Sequence, residues 1–418
     1  MSNENKLTPE LRFPEFKGKP FWEEEKLYKV LFEHGQKSEG NEEVFSVSVH
    51  KGVINQIEHL GRRFAAASTD NYKRVLPGDV IYTKSPTGDF PYGIIKQSKV
   101  SKPVIVSPLY AVFTPETIWL GIILDAYFEY PERTINYLAS IVQKGAKNTI
   151  NIRNDVFLSK SLVLPNDKKE QNKIASCLSN LDDLIASHSD KLKGLKDHKK
   201  GLMQNLFPQE GESVPTYRFT EFEKDGEWVE KALGEVAEII TGNTPSTKEP
   251  SYYGVGKMFV SPADIGDNRI VNQTKTTLTE LGFSKTRQIK ARSVLFVCIG
   301  STIGKVAQNM YECATNQQIN SLLPLKGYSR NFLYSILDCN STKIASIAGN
   351  HVVPIINKTS FSSIKISFPP KLEEQQKIAS CLSSLDGLIT AQAAKIEQLK
   401  LHKKGLMQGL FPNVNERL

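Results

Sequence analysis

The sequence predicts a mixed α/β (α+β) protein: two globular domains separated by two long antiparallel helices that form a coiled coil, all related by an internal pseudo-twofold repeat. Three observations carry this reading. The stretch from Glu170 to Pro208 returns without a gap from Glu374 to Pro412, identical at 26 of 39 positions, which a shared ancestor explains economically. Both stretches keep a four-and-three spacing throughout, with apolar residues at all but two positions of each series. The regions between them are dense in β-branched and aromatic runs bounded by Gly, Pro and Asn.

The bulk numbers suit that architecture. A chain of 418 residues with 39% hydrophobic and 23% charged positions buries sizeable cores and divides into two or three domains. Its formal net charge of +8 favours an acidic partner such as nucleic acid. No apolar run approaches the roughly 20 residues that span a bilayer, and the start MSNENKLTPE lacks a signal-peptide core, so a cytoplasmic protein is expected. Cys177 and Cys381 are equivalent repeat positions, while Cys298, Cys313 and Cys339 are scattered with no ligand spacing; buried reduced thiols are expected, with neither a disulfide nor a metal site.

Along the chain, residues 1–25 form an N-terminal segment holding RFPEF (Arg12 to Phe16) and Trp22. A variable region follows at 26–164, with strand-like runs at Val44–Val49, Asp79–Lys84, Pro103–Phe113 and Ser161–Pro165 and one helix-like segment, IWLGIILDAYF. A helical region covers 165–210, and a linker at 211–228 repeats the short motif as RFTEF (Arg218 to Phe222) with Trp228. The second variable region, 229–368, repeats the rhythm with KMFVSPADI, SVLFVCIG and QINSLLPL as strands and NFLYSILDC as a helix, before the second helical region at 369–412 and a tail at 413–418. Gly78–Tyr82 aligns with Arg292–Phe296, Gly93 with Gly304, Gly145 with Gly349, and Phe157 with Phe361; scaffold is retained while loops differ.

Prolines flank the repeated segments and none interrupts them, as long helices require. The pairing positions are Ile174, Leu178, Leu181, Ile185, Leu192 and Leu195 in the first and Ile378, Leu382, Leu385, Ile389, Ile396 and Leu399 in the second. A pseudo-twofold axis places the helices antiparallel, each about 50–55 Å long at about 1.5 Å per residue, with the variable domains at opposite ends. The N-terminal LTPELRFPEF is then expected beside the C-terminal end of the second helix. Polar residues interrupt the seam at His188 and Lys199, matched by Gln392 and Lys403. Lysine stems at such places snorkel and keep their heads wet; the alternative is that these layers fix the helix register.

Catalytic constellations are missing. GSTIGKV at Gly300–Val306 has too few residues between its glycines for a phosphate loop and Val306 where Ser or Thr would hold magnesium. SPLY at Ser107–Tyr110 is only partly like an amino-methyltransferase motif and has no cofactor loop, so it reads as a strand end. The histidines form no metal pair.

Nucleic-acid chemistry fits better. The excess of basic residues lies in the variable regions, 17 Lys and Arg against 13 Asp and Glu over 26–160 and 15 against 9 over 229–365, so the candidates are sought there. In the first region they are Arg62, Arg63, Lys73, Arg74, Lys84, Tyr92, Lys147 and Asn148. In the second they are Thr244, Ser246, Lys248, Ser301, Thr302, Lys305, Asn316, Gln317, Asn350 and His351. Arg pairs with guanine, and Asn and Gln with adenine, so these are side chains direct readout uses. Each alone could be an ordinary solvated loop residue; recurrence in matched loops of two copies is the stronger signal.

With EQNKIA and EQQKIA opening the helices, LD at Leu181 and Leu385, KKGLMQ at Lys199 and Lys403, and TGNTPSTKEPSYYG opening the second variable region, the chain resembles the specificity subunits of type I restriction-modification enzymes over residues 11–412. The first variable region lacks the TGNTPS-like opening. The resemblance implies two target recognition domains, each reading one half of a bipartite double-stranded DNA site, on a non-catalytic subunit that binds no cofactor or metal itself. It implies two methyltransferase subunits carrying S-adenosylmethionine, and through them ATP- and magnesium-dependent restriction subunits. It also implies that the helices act as a ruler; about 50 Å matches roughly 15 base pairs. The alternatives are a stand-alone bipartite DNA-binding regulator and an enzyme with an unrecognised site.

Overall fold

The computed structural model describes residues 8–61, 68–144, 150–349 and 354–412. The chain divides into two compact units, Met1–Ser187 with Ile396–Leu418, and His188–Lys395. Each unit therefore owns the first half of one long helix and the second half of the other.

In the first unit a four-stranded antiparallel sheet runs Leu31–Glu33, Ala111–Pro115, Val80–Tyr82, Ile95–Gln97. Successive side chains of a strand point to opposite faces. Val80 and Tyr82 thus join a core with helix Ile118–Phe128 and Phe157, while Ile81 and Val112 join a second core with Phe45 and Val104. Burial on both faces explains why these strands read as continuous apolar runs and not as alternating ones. Thr117 caps the helix by accepting from the Leu120 N–H.

The second unit repeats this frame. Its sheet runs Ala237–Thr241, Ile319–Pro324, Val294–Val297, Val306–Asn309, and adds Ile270–Val271 in parallel at the edge. Val294 and Phe296 face one core, Leu295 and Val297 another. Each domain is entered and left through a matched antiparallel ribbon: Glu23–Lys26 with Ser161–Leu164, and Val229–Ala232 with Lys365–Phe368. The turn before the central strand is left-handed in both copies, at Gly78 (φ 88°) in one and Arg292 (φ 64°) in the other.

Two runs differ from their sequence reading. Pro103–Phe113 is two strands, Val104–Val106 and Ala111–Pro115, because Pro108 cannot donate to a ladder and the Ser107 hydroxyl accepts from the Leu109 N–H. KMFVSPADI begins inside strand Tyr253–Val260 and ends in a short 3-10 turn, Pro262–Asp264, where the Asp264 carboxylate accepts from the Ser261 N–H. The cysteines are free; Cys298 and Cys313 are buried, but Cys177, Cys339 and Cys381 are only half-buried.

The long helices span Lys168–Leu206 and Leu372–Leu410. Within each unit their halves run antiparallel. Ile174 and Leu178 share a core with Met407 and Leu410 in the first unit; Ile378 and Leu382 share one with Leu206 in the second. Leu385, Ile396 and Leu399 are buried, and Leu181, Ile185, Leu192, Leu195 and Ile389 are half-buried, as a two-helix seam open on one side leaves them.

The short repeated motif anchors the helix starts. Arg12 donates from Nε and Nη2 to the two carboxylate oxygens of Glu170 (2.7 and 2.8 Å), and the Trp22 indole N–H donates to the same group (3.2 Å). Arg218, Trp228 and Glu374 repeat this at 2.8, 2.8 and 3.2 Å. The neighbouring Gln171 and Gln375 amides donate to the carbonyls of Pro165 and Pro369. The Leu11 N–H donates to the Gly409 carbonyl (2.8 Å), so the N-terminal segment does lie beside the end of the second helix; the Tyr217 N–H donates to Asn205 in the same manner (2.9 Å).

Candidate nucleic-acid interface

Sheet topology decides which loops meet. Ala237–Thr241 and Val294–Val297 both pair antiparallel with Ile319–Pro324, so the loops after the first two and before the third emerge at one sheet end. There the Thr244 hydroxyl donates to Gln317 Oε1 (2.7 Å), the Asn316 amide donates to Gln318 Oε1 (2.9 Å), and the Gln318 amide donates to the Ile299 carbonyl (3.3 Å). Gly242 is required at this crossing, since a Cβ would stand 2.2 Å from the Thr315 carbonyl oxygen. Ser246, Lys248, Ser301 and Gln317 are exposed around it and Thr302 is half-buried. Lys305 is exposed too, with its ammonium donating to the Ile265 carbonyl (2.7 Å).

Arg287 belongs to the same cluster although no motif singled it out. Its N–H donates to Asn243 Oδ1 (2.8 Å) and its guanidinium to the Thr241 carbonyl (2.7 Å), which holds an exposed cation beside the TGNTPS loop. Its run SKTRQ carries no glycine or proline, so only the fold reveals the proximity.

In the first unit the equivalent end carries the loops after Leu31–Glu33 and Val80–Tyr82 and the Ser107–Tyr110 turn. Lys84 takes a left-handed conformation (φ 57°), and the chain passes Gly93 so closely that a Cβ there would meet the Lys84 nitrogen at 2.8 Å. Burial holds the Lys84 ammonium below its ordinary value and the neighbouring Lys73 adds to the depression, with Glu33 opposing. Two cations set to repel, both half-buried, suit an anion. Tyr92 is half-buried, its carbonyl accepting from the Tyr82 hydroxyl (2.7 Å). Arg74 points elsewhere, to Glu39 and Glu42. Arg62, Arg63, Lys147, Asn148, Asn350 and His351 lie outside the described residues.

The seam lysines depart from expectation. Their heads are not wet: Lys403 Nζ sits 2.7 Å from Asp182 and 2.7 Å from Glu129, and Lys199 Nζ 2.8 Å from Asp386 and 3.2 Å from Asp338. At the other polar layer the Gln392 amide donates to the His188 carbonyl (2.8 Å) and meets its ring Nδ1 at 2.7 Å. Among the described residues no three His, Cys, Asp or Glu side chains gather as a metal would require, and no helix is long and apolar enough to cross a membrane.

One frame built twice, offering two unlike sets of basic and amide side chains, defines a duplicated recognition protein. The profile of the type I restriction modification DNA specificity domain matches residues 225–401. The chain is similar to the type I restriction enzyme HindI specificity subunit of Haemophilus influenzae, 24% identical over 395 residues, with 76% of this chain and 84% of the relative covered. It is also similar to the putative MjaX specificity subunit of Methanocaldococcus jannaschii, 27% identical with 65% of this chain and 63% of the relative covered. The solved S subunit from M. genitalium superposes with a TM-score of 0.64 over 98% of this chain and 100% of that one, at 13% identity. Over most of its length the chain is thus similar to type I restriction enzyme specificity subunits, and residues 225–401 match the specificity-domain family.

Proposed function

We propose that this chain is the DNA-reading, non-catalytic subunit of a type I restriction-modification complex, with each recognition domain reading one half of a bipartite double-stranded site. The observation that carries the reading is the duplicated frame with unlike loops at the same sheet end: the scaffold presents, and Thr244, Lys248, Arg287 and Gln317 in one copy and Lys73 and Lys84 in the other supply different donors to different bases and phosphates. The paired helices set the gap between the half-sites. Two methyltransferase subunits dock on the repeated frame and bring S-adenosylmethionine; restriction subunits, with ATP and magnesium, join through them in the cytoplasm. Duplication supports two copies of one partner, since the equivalent Leu184 and Leu388 are both exposed, at 43% and 55%. A stand-alone regulator would need no such partners. Co-purification with a methyltransferase subunit, followed by sequencing for methylated adenine, tests the reading: a bipartite methylated motif that appears only with this chain supports it, and its absence from an assembled complex refutes it.

A further inference from the structure

Four charges meet where each recognition domain touches the helix pair. In the first unit Lys403 bridges Asp182 on the facing helix and Glu129 at the end of helix Ile118–Phe128, while Lys99 takes the second Asp182 oxygen (3.1 Å). In the second unit Lys199 bridges Asp386 and Asp338 of helix Arg330–Cys339, while Arg269 takes the second Asp386 oxygen (3.2 Å). The helix members are equivalent repeat residues, but the domain members are not. Glu129 is matched by an aspartate, and Lys99, just beyond strand Ile95–Gln97, is replaced by Arg269, just before strand Ile270–Val271 and stacked 4.4 Å over the Tyr334 ring. Two diverged domains thus rebuild one cluster from different parts, which a merely inherited contact would not require.

Each cluster ties three elements together, because its lysine joins the two helices and its outer charges join the domain to them. A domain free to pivot on the helices would place its reading end variably. We propose that these clusters are positioning locks that hold each domain at one angle and so restrict the complex to one gap length between half-sites. The proposal rests on the chain being a DNA-specifying subunit. The residues act through the domains and touch no base.

The test is Glu129→Ala, Asp338→Ala and their combination, expressed with the methyltransferase partner, with methylation measured on sites whose gap is one base pair longer or shorter than the native one. Removing a charge-assisted hydrogen bond is worth about tenfold in an equilibrium, so off-gap methylation should rise relative to native-gap methylation by about that factor, with both half-site sequences unchanged. Glu129→Asp and Asp338→Glu, which keep the carboxylate, should keep the native discrimination. Unchanged gap discrimination in variants whose unfolding midpoint matches the parent would overturn the lock while leaving the functional reading intact. An altered half-site sequence would also overturn it. A parent chain that directs no bipartite methylation would overturn both.

Discussion

Arg12 grips both carboxylate oxygens of Glu170, a side chain only 1% exposed, and Arg218 does the same for Glu374 at 0%. The carboxylate bond is the largest influence holding each guanidinium above its ordinary value. Because a buried pair broken from one side leaves an uncompensated charge, Arg12→Ala and Arg218→Ala should each lower unfolding free energy by about 3–5 kcal/mol. Denaturant titration of the two variants checks this; a loss near zero would show that the clamp is idle.

Much of the frame was readable because its signals are local. The 4-3 spacing of Ile174, Leu178 and Leu181 and the freedom from proline define the helices, and IWLGIILDAYF coincides with helix Ile118–Phe128. Contacts between distant residues were not readable. Wet heads were expected for Lys199 and Lys403 because their acids, Asp338 and Glu129, come from variable domains 139 and 274 residues away. RFPEF, Trp22 and the EQ opening were visible as repeats, but that Arg12 and Trp22 converge on Glu170 is a property of the fold. Arg287 was missed because its links to the marked loop, at Asn243 and Thr241, join residues 44 and 46 positions apart.

Charge in the seam predicts a pH dependence. Burial would lower the Lys403 ammonium, but Glu129 and Asp182 outweigh it and leave it above 10.5; burial would raise Asp182, but Lys403 and Lys99 outweigh it and leave it below 3.8. The stabilisation is therefore complete between these limits, declines as pH rises through the elevated lysine value, and declines as pH falls through the depressed Asp182 value. Lys403→Met should cost about 1–2 kcal/mol near neutrality, less than a fully buried pair because Asp182 and Glu129 remain 31% and 41% exposed. The difference from the parent should narrow toward both pH extremes, as denaturant midpoints across the range would record.

Arg292 occupies the left-handed position that Gly78 fills in the other copy. A side chain costs about 1–2 kcal/mol there, and glycine's extra unfolded-state entropy offsets about 0.5–1 of it. Arg292→Gly should therefore stabilise by up to about 1 kcal/mol, and Gly78→Ala should destabilise by a similar amount. Thermal unfolding of the pair decides; opposite signs would remove the strain argument.

If the helices set the gap, inserting one heptad in both should keep the seam in phase and lengthen the preferred gap by about 10 Å, close to three base pairs. Methylation of a gap-length series is the readout. An unchanged gap in an active variant would assign spacing to the bound methyltransferase subunits.

The central claim, one half-site per domain, is tested most directly by exchanging residues 229–364 for those of another specificity subunit and sequencing methylated adenines in cells that carry the hybrid with its methyltransferase partner. The account predicts that one half of the motif changes to the donor's and the other half stays. A hybrid that is active but alters both halves, or neither, would contradict it.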